Sequence, residues 1–192
     1  LSGDEQCIIF SQLCNVLDPG VAVAFGSINS ELRTLTQAER QQLRADHEAA
    51  AALCLKLGVQ SCKELRGAKT ISANIYLANI YRISPTRSAD LALLGRLGSV
   101  LPALWTLFLC EPAARPEGVQ RLAEKLGSGA LPAVTHLDIN MMHVGDAGAS
   151  ALAAALGRGA MPRLKTLSLF STAIGDAGLV ALAPALRRLP AL

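Results

Sequence analysis

Residues 131–160 read LPAVTHLDINMMHVGDAGASALAAALGRGA, and residues 161–188 read MPRLKTLSLFSTAIGDAGLVALAPALRR, a near copy in the same order. A looser copy, LPALWTLFLCEPAARPEGVQRLAEKLGSGA, occupies residues 101–130, and a further one opens as LPAL at 189–192. Starts at 101, 131, 161 and 189 give spacings of 30, 30 and 28 residues. A fixed period in that range predicts a solenoid, in which each unit buries its apolar side only against its neighbours.

Each unit has the same internal grammar. Leu104, Leu107 and Leu109 align with Val134, Leu137 and Ile139, and with Leu164, Leu167 and Leu169. This L-x-x-L-x-L alternation predicts a short strand with one buried face. The glycines of Val144-Gly-Asp-Ala-Gly148 and Ile174-Gly-Asp-Ala-Gly178 allow a tight turn, and Asp146 and Asp176 are placed to accept backbone N–H bonds near a helix start. Leu152 with Leu156, and Leu182 with Leu186, then mark the apolar stripe of an amphipathic helix. Pro102, Pro132, Pro162 and Pro190 close each helix and launch the next strand.

Over residues 101–192 this strand–turn–helix unit resembles the leucine-rich repeat of the ribonuclease-inhibitor type. It departs from that pattern at Pro112, Met142 and Thr172, where the family usually has an asparagine ladder, and at Arg115-Pro116, which replace Gly-Asp in the first unit. The Ala/Gly-rich consensus looks like that of large repeat families in unicellular algae. The resemblance implies a non-enzymatic protein–protein interaction module whose strands line a concave face. Between the buried leucines that face presents three rows: Thr106, His136, Thr166; Phe108, Asp138, Ser168; and Cys110, Asn140, Phe170. Aromatic groups flanked by polar ones are what a protein-binding surface tends to offer.

Upstream, residues 88–100 (SADLALLGRLGSV) predict one more repeat helix, with its strand near Ile75 and Leu77. The poor consensus match over residues 69–86 suggests a divergent first repeat or cap spanning 66–100. Residues 36–39 (TQAE) form a capping-box pattern, followed by Leu43, Ala50, Leu53 and Leu57 at helical spacing, with Gly58 ending the helix. His47 and the charges Glu39, Arg40, Arg44, Asp46 and Glu48 are expected on its solvated side. The first 35 residues predict a helical hairpin turning at Asp18-Pro19-Gly20. They resemble an F-box through Leu1, Asp4, Glu5, Ile9-Phe10, Leu13, Leu17-Asp18 and Leu32, with Ser2 replacing the usual Pro and no Trp in the third helix. That resemblance implies docking of a cullin-type ubiquitin-ligase adaptor through Ile8, Ile9, Phe10 and Leu13, the repeats then acting as substrate receptor. The alternative is a structural linker or accessory subunit of a large assembly, organellar or photosynthetic in an algal setting. The expected organisation is an α/β fold: a helical, F-box-like segment at 1–65, the divergent repeat or cap at 66–100, and repeats from 101 to 192. The chain starts without Met and stops inside a repeat, as expected of a piece of a longer array.

Bulk properties narrow the function classes. Hydrophobic residues make up 51% of the chain and charged residues 17%, ample for a core. A net charge of +3 without basic clusters does not suit nucleic acid, which needs many phosphate contacts. Five scattered cysteines lack paired spacing, so free thiols in a reducing compartment are expected, cytoplasmic or nuclear in preference to chloroplast. The apolar stretch at 91–110 has spanning length, but Arg96, Pro102 and the repeat register divide it into helix, turn and strand. His136 and Asp138 alternate on one strand face without a nucleophile placed beside them, and His47, His136 and His143 lack metal-ligand spacing. Met141-Met142 are expected to fill the coil interior. No catalytic residue, metal site or cofactor is expected; the expected partner is a protein.

Overall fold

The computed structural model describes residues 2–74, 88–110 and 117–189. Helices α1 (Gly3–Leu13), α2 (Gly20–Phe25), α3 (Ser30–Leu35), α4 (Gln37–Lys56) and α5 (Cys62–Gly67) come first. Strands and helices then alternate: β1 (Thr70–Asn74), α6 (Ser88–Leu97) with a 3-10 turn (Gly98–Val100), β2 (Thr106–Cys110), α7 (Glu117–Lys125), β3 (His136–Ile139), α8 (Gly145–Gly157), β4 (Thr166–Ser168) and α9 (Asp176–Leu186). The strands form one parallel four-stranded sheet in the order β1-β2-β3-β4. Successive parallel strands need a crossover, and α6, α7 and α8 supply them. Helix α6 packs on α7, α7 on α8 and α8 on α9.

The strand register follows the leucine pattern. Ile71 pairs with Leu107, Leu107 with Leu137, and Leu137 with Leu167, so one apolar row crosses the sheet, buried as far as Leu137 and half-buried at Leu167. Beneath it lie Leu104, Val134 and Leu164, all fully buried. The two units that open at Leu131 and Met161 do so with a left-handed φ, 53° and 50°, a conformation that costs a side-chain-bearing residue about 1–2 kcal/mol. The turn directs the Leu131 N–H to the Gly98 carbonyl and the Met161 N–H to the Ala130 carbonyl, both at 2.8 Å, while both side chains are buried. A hydrogen bond and an apolar contact to the preceding unit together offset the strain.

Side chains also stitch unit to unit, by a route other than an asparagine ladder at Met142 and Thr172. Met142 is buried and apolar, and the Thr172 hydroxyl donates to Leu169 within its own unit; Pro112 lies outside the described residues. The Asp146 carboxylate instead accepts the N–H groups of Gly175 and Gly178, at 2.8 and 3.0 Å, at the start of α9. Arg158 donates through Nη2 to the Ala123 and Leu126 carbonyls at the end of α7. Asn140 Oδ1 accepts from Ser168 Oγ and from the Phe170 N–H. Close helix approach needs glycine at Gly95, where a Cβ would stand 2.5 Å from the Leu122 carbonyl oxygen.

Several local expectations are corrected. The first strand is Thr70–Asn74 because Ile71 supplies the buried residue in register with Leu107; Ile75 and Leu77 lie outside the described residues. Residues 36–39 form no capping box. Helix α3 runs almost directly into α4, so Thr36 is buried between them and its hydroxyl donates back to the Leu32 carbonyl. The reciprocal cap forms at Ser2 and Glu5, opening α1. The first 35 residues hold three short helices rather than a hairpin. His47 is half-buried, its Nδ1 2.7 Å from the Val16 carbonyl, and ties α4 to the α1–α2 connection. Gly58 does end α4, at a φ of 71°, with the Val59 N–H bonding back to the Cys54 carbonyl.

The core is continuous across the helical and repeat parts. Ala50, Leu53 and Cys54 of α4 and Cys62 and Leu65 of α5 belong to the same cluster as the sheet leucines. Two ion pairs reinforce the join, Lys56 with Asp90 at 2.7 Å and Arg96 with Asp46 at 3.2 Å. A smaller cluster of Phe10, Ala22 and Leu43 holds α1, α2 and α4 together. None of the five cysteines forms a disulfide among the described residues, and Cys54 Sγ lies 4.0 Å from Cys62 Sγ. Burial first, then the neighbouring Cys62, pushes the Cys54 thiol up to about 12. The stretch 91–110 is divided into helix, 3-10 turn and strand, and no described helix is long and apolar enough to cross a membrane.

Candidate interaction surface

Because strand side chains alternate, placing Leu107, Leu137 and Leu167 toward the helices turns the intervening residues to the open face of the sheet. Thr106, His136 and Thr166 fall opposite one another in register, as do Ser72, Phe108, Asp138 and Ser168. Of these, Ser72, His136 and Thr166 are exposed, and Thr106, Phe108, Asp138 and Ser168 are half-buried. Two of the three predicted rows are therefore assembled side by side.

The third row is broken. Cys110 is only 1% exposed, so it offers no surface at the end of β2. Asn140 is half-buried and spends its carbonyl oxygen on Ser168 and Phe170. Phe170 is 70% exposed just past β4. Met141 and Met142 divide likewise: Met142 enters the core and Met141 is exposed.

The sequence argument overlooked Trp105. It is 56% exposed immediately before β2, and Lys69 Nζ stands 5.6 Å from its ring centroid, within cation–π range. Thr135 and Lys165 occupy the corresponding place in the next two units, and the Thr135 hydroxyl donates to the Trp105 carbonyl. An aromatic residue at a position that is otherwise polar was the available signal. His136 Nδ1 lies 2.8 Å from Thr135 Oγ1, so the ring is engaged by its chain neighbour and no hydrogen bond joins it to Asp138 among the described residues.

The four N-terminal docking residues do not share one exposed face. Ile8 is 59% exposed, Ile9 is half-buried, and Leu13 packs against the small cluster. Phe10, only 1% exposed, is a core residue of that cluster, which removes it from any docking surface.

Residues 131–153 and 161–183 match the family model for the leucine-rich repeat. No curated protein and no solved structure matches. The two matched segments coincide with the β3–α8 and β4–α9 units, and they support a leucine-rich repeat protein. Such repeats generally serve protein–protein interaction and are typically non-enzymatic.

Proposed function

We propose that this chain is a protein-binding module that holds its partner on the open face of the sheet. Thr106, Phe108, His136, Asp138, Asn140, Thr166, Ser168 and Phe170 would make the contacts, with Trp105 at the rim. The exposed Phe170 carries the proposal. A large aromatic side chain in water beside hydrogen-bonding groups is the composition enriched at the energetic centres of interfaces. The test is affinity capture from cell extract, comparing the chain with a Trp105→Ala/Phe170→Ala variant and with a Lys125→Ala control on the helix side. The expected result is loss of the same captured protein, at least tenfold, from the double variant alone. Equal capture by all three would overturn the assignment.

The partner class is a finer proposal. In the ubiquitin-ligase reading the N-terminal helices would engage an adaptor, and Ile8 with part of Ile9 is the apolar surface α1 retains for this. The accessory-subunit reading draws support from the shared core of the helical and repeat parts and from exposed Val21, Ile28, Leu35 and Leu55. Recovery of adaptor and cullin, abolished by Ile8→Glu, would favour the first reading; co-fractionation with a large complex without them would favour the second.

A further inference from the structure

We infer that the junction of α3 and α4 is a binding site for a compact phosphorylated small molecule. A cavity of about 340 Å³ opens there, lined by Arg33, Thr34, Gln37, Arg40, Gln41 and Arg44. That volume lies at the small end of the range for small-molecule sites, about 300–1,000 Å³. The lining holds three guanidinium groups and no carboxylate. Glu31, Glu39, Asp46 and Glu48 sit on the same two helices, yet none lines the cavity. The ion pairs among the described residues involve other cations.

The arginines are held together rather than left to spread. Arg33 Nη2 donates to the Ser27 carbonyl at 3.3 Å. Arg40 Nη1 donates to Ser27 Oγ at 3.2 Å, and its Nη2 to the Arg33 carbonyl at 3.3 Å. Two cations thus converge on one serine, an arrangement that like-charge repulsion disfavours unless an anion joins them. Arg40 Nε is buried and has no acceptor, leaving a charged donor unsatisfied. Gln37, Gln41 and Arg44 follow at helical spacing on one face of α4 and add amide and guanidinium donors. Planar guanidinium forks match phosphate oxygens in pairs, so the exposed Arg33 and Arg44 would clasp a phosphate or pyrophosphate group in the cavity.

The test is calorimetric titration of the chain with sodium pyrophosphate in low-salt buffer. Saturable one-to-one binding is expected, weakened about tenfold or more by Arg33→Gln/Arg44→Gln. Both residues are exposed, so the variant should keep its circular dichroism spectrum. Arg187→Gln/Arg188→Gln, on the last repeat, should bind as the parent does. Absence of saturable binding, equal weakening in both variants, or binding of a phosphoserine peptide but not of pyrophosphate would overturn the assignment.

Discussion

Asp146 acts on the unit that follows its own. Its position near the start of α8 suggested a local cap, but its carboxylate reaches the first N–H groups of α9, which has no side-chain cap of its own. The repeat makes this necessary: a helix start packed beside a neighbour must find its acceptors there, since exposed N–H groups are costly once water is displaced. Asp146→Ala should lower unfolding free energy by about 1–2 kcal/mol, Asp146→Asn by less. Asp176→Ala is the control, because the Asp176 side chain makes no hydrogen bond among the described residues. Urea midpoints of the three variants check this. Equal shifts for positions 146 and 176 would show that helix charge, not the bond across units, is responsible.

At the scale of the element, glycine decides how closely helices approach. A Cβ on Gly178 would lie 2.6 Å from Asp146 Oδ1 and 2.7 Å from Ile174 Cγ2, whereas one on Gly157 would meet nothing within 4 Å. Alanine is normally the better helix former by about 1 kcal/mol. Gly157→Ala should therefore raise the thermal midpoint, and Gly178→Ala should lower stability by about 1–3 kcal/mol by expelling the cap. The sequence displayed G-D-A-G twice as a turn, and the turn is there. In the second copy Gly178 is also the gap through which the carboxylate of Asp146 passes, a fact no single unit contains.

The whole molecule has one main core, so the helical and repeat parts should unfold together. Leu53 of α4 is buried in the cluster that also holds the sheet leucines. Leu53→Ala should cost about 2–5 kcal/mol. The fluorescence of Trp105, the single tryptophan, and far-UV circular dichroism should then shift to the same new midpoint. Early loss of helical signal with the Trp105 transition unmoved would instead show an independent N-terminal unit.

The period of residues 101–188 by itself determined the strands, the helices and the buried row of leucines, because each follows from short-range alternation repeated in register. It also placed Thr106, His136, Thr166, Phe108, Asp138 and Ser168 on one face. What only the tertiary structure decided depends on contacts between units or between distant helices. Phe10 and Cys110 are buried, and Asp146 and Arg158 serve helix ends some thirty residues away. The arginines of α3 and α4 surround one cavity only because the two helices meet end to end at Thr36. Local sequence fixes which face a side chain leaves from. The packing of the next element fixes what it meets.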